Sequence, residues 1–177
     1  ELACHAAKSY VGGESLLFGT SSRTGTGGKG QFKQRVTELA KALGEGSGFK
    51  EQPTFSTKDS KLDVVAWKPH RDKRASQIIL FGQCAAGRNW KEGKLTELDP
   101  EGFWDQWMDR GKVSTPLRSV FVPHRVYDDE QWDGYARKAR LLFDRCRVVA
   151  AAHAHTRTGT LADKLLACCR TEWKLAV

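Results

Sequence analysis

The segment that most restricts how this chain can fold is residues 61–94, KLDVVAWKPHRDKRASQIILFGQCAAGRNWKEGK. Residues 62–67 are rich in branched and aromatic side chains and predict a strand, with its one charge, Asp63, inside the run. Residues 68–74 combine Pro69 with dense charge and predict a surface turn. Residues 77–81 are continuously apolar after Gln77, the pattern of a strand buried on both faces. That run ends at Gly82-Gln83-Cys84-Ala85-Ala86-Gly87, where small residues allow the backbone to approach another group closely. Asn89-Trp90-Lys91 then opens a further element. A buried strand ending in a polar group, beside an acid on its neighbour, is a common way to build a site in α/β folds.

The flanking sequence supplies helices. Residues 1–10 have helical composition and stop at Gly12-Gly13. Residues 15–18 predict a short strand or a packed loop. In residues 31–43, Phe32, Val36, Leu39, Ala40 and Leu43 recur at helical spacing, and Gly44 and Gly46 end the run. Residues 49–55 predict a weak strand, placed at an edge by Pro53. Asp99-Pro100-Glu101 predicts a helix start, followed by an aromatic face of Phe103, Trp104, Trp107 and Met108. Residues 118–123 predict a strand halted by Pro123. Residues 128–152 read as one long helix with a buried stripe of Tyr135, Ala139, Leu142, Phe143, Cys146 and Val149. A linker at 156–160 and a closing helix through Leu161, Leu165, Cys169 and Trp173 complete the chain.

At 177 residues, with 40% hydrophobic and 28% charged side chains, the chain suits one soluble domain with its own core. A net charge of +8 points to an anionic partner, nucleic acid first. No apolar run approaches a membrane span. Five cysteines, at positions 4, 84, 146, 168 and 169, form neither a regular disulfide framework nor a zinc-type pair. Together with the lack of a signal-peptide pattern, they predict a cytoplasmic protein. Because residue 1 is Glu, the chain can also be a fragment of a larger protein. The Gly-rich basic loop at 21–30 fails the phosphate-loop pattern, since Gly30 follows Lys29 where Ser or Thr is needed. Arg23 and Lys29 remain candidates for touching phosphates from that loop.

The order of elements, with Asp63 on one strand and Gln83 at the end of the next, resembles the core of the PD-(D/E)XK nuclease superfamily, in its Q-x-K variant. The resemblance covers the middle two-thirds of the chain. It implies one domain over residues 1–177, with a core at about 30–150 and a helical extension at 156–177. The implied fold is α/β: a central mixed β-sheet flanked by helices, the restriction-endonuclease-like core. The implied activity is metal-dependent hydrolysis of DNA phosphodiester bonds, in the setting of a bacterial restriction or anti-phage defence system. The implied cofactor is Mg²⁺, with Mn²⁺ as a substitute, and the implied partner is nucleic acid, double-stranded DNA first. A further domain, a partner subunit or a homodimer is compatible with it.

The residues implied are Asp63 and Gln83 as metal ligands, with the main-chain carbonyl of Cys84. A hard cation with oxygen ligands would stabilise the charge on the phosphoryl group and lower the pKa of the attacking water. The triplet reads Gln83-Cys84-Ala85, so the lysine of the pattern is displaced; Lys94 is its replacement, with Lys91 as the alternative. Phe32-Lys33 stands where relatives carry an acid on the first helix, so Glu38 is the candidate third acid, with Glu45 beside it as an alternative. Arg71, Lys73, Arg74 and Lys91 join Arg23 and Lys29 as candidate nucleic-acid contacts. Two other readings belong beside this one. A domain of the same fold without catalysis, binding nucleic acid or a protein partner, accounts for the charge and the displaced lysine. A cysteine hydrolase would use Cys84 with His124 or His153 as base.

Overall fold

The computed structural model of the protein describes residues 1–19, 29–51, 61–127, 129–156 and 163. Its centre is the hairpin that the two apolar runs predict. β2 (Val64–Lys68) pairs antiparallel with β3 (Ile78–Cys84), with Val65 opposite Phe81 and Val64 opposite Gly82. Asp63 immediately precedes β2, yet its N–H donates to the Gly82 carbonyl, so it still belongs to the paired ladder. β1 (Glu14–Leu17) adds antiparallel to the free edge of β2. On the other side β4 (Leu117–Phe121) and β5 (Leu141–Phe143) continue the sheet in parallel with β3, giving the order β1-β2-β3-β4-β5. The protein is therefore an α/β fold, a five-stranded mixed sheet flanked by helices.

The two faces of the hairpin feed two cores, because side chains alternate along a strand. Val65, Trp67, Ile79 and Phe81 pack under α2 (Lys29–Leu43) and α3 (Pro100–Trp107). This core is mostly aromatic: Phe103 meets Phe81 edge-on, and the Trp104 ring stacks on Phe81. Val64, Ala66 and Leu80 face the other way, against α1 (Leu2–Val11) and α5 (Arg145–Thr156). A third cluster, Ala85, Trp90, Leu95, Val120, Val122, Ala139 and Leu142, lies beneath α4 (Asp129–Ala139). Trp90 is the buried anchor of the segment after β3, Trp90–Lys94, a wide helical turn broken at Glu92 and Gly93 in place of a regular helix.

Two expectations are corrected. The long helix at 128–152 is two helices with β5 between them. Arg140 takes a left-handed φ of 66°, which ends α4, and Leu141-Leu142-Phe143 gains a place beside β4 that a helix would forgo. The Phe143 ring stacks on Phe121, while Cys146 and Val149, expected in the buried stripe, are exposed. β1 forms the edge of the antiparallel half, and a further edge strand is expected at residues 49–55. In that segment Phe49 makes one isolated bridge with Met108, and residues 52–60 lie outside the described part. The expected core at about 30–150 thus omits α1 and β1, both of which pack on the sheet. The linker and closing helix fall outside the described residues, apart from the start of the linker, which ends α5.

Candidate functional site

The candidate residues gather where β2 begins and β3 ends. Asp63 is fixed by three sets of contacts. Its carbonyl accepts from the Phe18 and Gly19 N–H groups at the end of β1, its N–H donates to Gly82, and its carboxylate Oδ2 accepts from the Cys84 N–H at 2.7 Å. Gly19 is required here, since a Cβ on it would lie 2.2 Å from Asp63 Oδ1 and 2.8 Å from Asp63 Cα. Gly82 is required for a different approach: a Cβ there would stand 2.6 Å from the Phe121 ring and 2.9 Å from Ser119 Oγ. Burial raises the Asp63 pKa above its ordinary 3.8, and the Cys84 N–H only partly opposes it.

Gln83 is buried, and its amide is oriented by a residue that the sequence alone did not single out. Gln83 Nε2 donates to Glu97 Oε2 at 2.8 Å. The Lys94 ammonium donates to the same oxygen at 2.8 Å, and Lys61 Nζ lies 3.2 Å from Glu97 Oε1. Held first by Lys94 and then by Gln83 and Lys61, the Glu97 carboxyl is lowered to about 2. An ionised carboxylate can only accept, so Glu97 dictates that the amide turns its nitrogen inward and its oxygen away. Gln83 Oε1 is buried and has no hydrogen-bond partner among the described residues. Buried polar atoms are nearly always paired, so an orphaned oxygen at the end of a central strand marks a place for a donor or a cation. The signal available in the sequence was Lys94 and Glu97 at i, i+3; Lys61 becomes their partner only through the tertiary fold.

The other candidates divide clearly. Lys94 joins the site through Glu97, whereas Lys91 turns away, its ammonium 5.7 Å from the Trp90 ring centre and 5.3 Å from that of Tyr135. Glu38 is corrected: it is on the exposed face of α2, bonded to Gln34. Glu45 is buried at the far end of β3, where its Oε1 accepts from the Ser76 and Gln77 N–H groups. Arg71, Lys73 and Arg74, candidate nucleic-acid contacts, are remote from Asp63. They sit on the exposed β2–β3 turn, separated from Asp63 by the length of the hairpin, roughly 17 Å at about 3.3 Å per residue. Arg23 and the Lys29 side chain lie outside the described residues.

Cys84 is exposed at the strand end and not buried as a small core residue. The protein around its sulfur disfavours the thiolate, the Asp63 carboxylate adds to this, and the pKa is pushed up to about 12. That is opposite to what a cysteine nucleophile needs. His124 bonds through Nε2 to the Ala86 carbonyl at 3.2 Å, and the His153 side chain is outside the described part.

The oxygen donors on this edge, the Asp63 carboxylate and Gln83 Oε1, suit a hard divalent cation. Among the described residues no group of three His, Cys, Asp or Glu side chains converges on one point. An ion held here would therefore keep several waters and draw ligands from a bound phosphate, the usual habit of Mg²⁺. Among the described residues no helix is long and apolar enough to cross a membrane. Comparison with known proteins finds no matching family model, no similar curated protein and no similar solved structure.

Proposed function

We propose that the protein is a metal-dependent endonuclease acting on DNA phosphodiester bonds at the edge formed by Asp63, Gln83, Lys94 and Glu97. The observation that carries this reading is the buried Oε1 of Gln83 at the end of β3, unpartnered among the described residues, beside a carboxylate whose charge burial disfavours. Both features cost free energy in the metal-free protein, and one bound cation would relieve both. Asp63 and Gln83 would hold Mg²⁺, with the Cys84 carbonyl as a further oxygen. When bound, the ion would supply charge neutralisation and a more acidic water. Lys94 and Lys61 hold positive charge at the same edge, where an incoming phosphate competes with Glu97 for them. Glu97 keeps the Gln83 oxygen turned outward throughout.

The test is cleavage of plasmid and single-stranded DNA with Mg²⁺ or Mn²⁺, comparing wild type with Asp63→Ala and Lys94→Ala. The expected result is metal-dependent cutting abolished by Asp63→Ala and reduced by roughly 10²-fold or more by Lys94→Ala, the scale of losing one charge-stabilising group. A second reading, a non-catalytic domain that binds nucleic acid, is favoured by one observation: both lysines are already paired with Glu97. Wild-type protein that binds DNA in a salt-dependent manner and never cuts it would select that reading.

A further inference from the structure

Beside this edge lies a cleft of about 320 Å³ between the segments that come after β3 and β4. Those strands are parallel, so the cleft opens at their carboxyl ends, where α/β sheets usually bind ligands. Arg88, Lys91 and Arg125 line it, and no acidic side chain does among the described residues. It also carries an aromatic wall. Tyr127 is 74% exposed, with the Arg125 guanidinium 4.7 Å from its ring centre.

The walls are held in place before any ligand arrives. His124 Nε2 bonds to the Ala86 carbonyl at 3.2 Å and ties one segment to the other. The Val126 N–H donates to Asp144 Oδ2 at 3.3 Å, and the buried Asp144 also accepts from the Arg147 N–H at the start of α5. Lys91 rests over the Trp90 and Tyr135 rings. The informative feature is therefore the combination, an accessible aromatic face set beside three cations in one cleft.

We infer that the cleft binds an unpaired nucleotide of a single strand, its base against Tyr127 and Arg125 and its phosphates on Arg88 and Lys91. A phosphate alone would use the cations and leave the ring idle. A duplex keeps its bases stacked on one another, whereas a free base can stack on an aromatic or guanidinium plane. The cleft's volume, at the small end of ligand sites, fits one nucleotide unit and not a double helix. That the bound strand is the one presented to Asp63 and Gln83 rests on the nuclease reading; the binding itself does not.

The test is fluorescence anisotropy in EDTA, so that no cutting occurs, with a labelled single-stranded DNA oligonucleotide, its RNA equivalent and a hairpin duplex of the same composition. Wild type, Tyr127→Ala, Tyr127→Phe and Arg88→Ala are compared after confirming equal melting temperatures. The expected result is tighter binding of a single strand than of the duplex, retained by Tyr127→Phe. Tyr127→Ala should weaken it by about fivefold or more, the lower end of base–aromatic stacking. Arg88→Ala should flatten the slope of log K against log salt by about 0.7. The DNA and RNA arms identify the strand. Equal affinity for duplex and single strand, or an unchanged affinity in Tyr127→Ala, overturns the inference. Because Asp63→Ala tests cutting and Tyr127→Ala tests binding, either idea can fail while the other stands.

Discussion

Two carboxylates at this edge, Asp63 and Glu97, respond to pH in opposite senses. Asp63 has a folded pKa above its unfolded one, so it favours folding below about 3.8 and loses that contribution as pH rises through the raised value. Above that raised value the metal-free protein carries the cost of a charged, desolvated Asp63. Asp63→Asn should raise the melting temperature of the metal-free protein at pH 7, by about 2–4 °C for each kcal/mol relieved, while abolishing Mn²⁺ binding in calorimetry. A lower melting temperature would show that the Cys84 N–H needs the charge and not merely an oxygen. Glu97 behaves the other way. Its contribution is present above about 4.5, its unfolded value, and is lost as pH falls toward about 2. Glu97→Gln would offer a donor as well as an acceptor and let the Gln83 amide turn over. Mn²⁺ affinity should then fall about tenfold or more, the scale of losing a residue that orients a ligand, and titration calorimetry at pH 7 would measure it. Equal affinity in wild type and variant would mean that the amide is oriented by something else.

The elements carry a different lesson, about where local preference is overruled. Residues 128–152 hold helical composition throughout, and helical periodicity alone cannot register the interruption at Arg140. The left-handed backbone there costs about 1–2 kcal/mol for a side chain with a Cβ. The compensation is tertiary: Leu142 fills the third core cluster and Phe143 stacks on Phe121. Arg140 also places a like charge near Arg118, whose guanidinium pKa is lowered by burial first and by Arg140 second. Arg140→Gly removes the strain and that repulsion, and should stabilise the protein by about 1 kcal/mol in urea unfolding. Destabilisation would show that the Arg140 side chain does more than end α4. By contrast, β2, β3, α2 and α3 are legible in the sequence, because their apolar periods agree with the tertiary demand at nearly every position. The site is legible only where it lies on or next to those elements. Asp63, Gln83 and Lys94 stand out from the hairpin and the short segment after β3. Glu97 does not, since its role depends on Lys61 and Gln83 coming from two other segments.

Across the whole molecule, the beginning and the end of the described chain close one face of the sheet. α1 packs along α5, and Ala6 and Ala7 are fully buried between α5 and the strands. Their small size sets how closely the two helices approach, so Ala6→Leu should overpack the layer. It should cost about 1–3 kcal/mol, seen as a lower denaturant midpoint with an unchanged slope. A neutral effect would show that the α1–α5 layer yields easily. Local sequence suffices for the α/β class, the central hairpin, the aromatic helix face and the position of an acid beside a polar strand end. Each of these is encoded in a few neighbouring residues by side-chain period and shape. Long-range packing was needed to bring residues 14–17 to the edge of the sheet and to turn residues 141–143 into a strand. It also set Glu97 between two lysines. Those outcomes depend on which distant surfaces bury one another, and that free energy belongs to no single stretch of the chain.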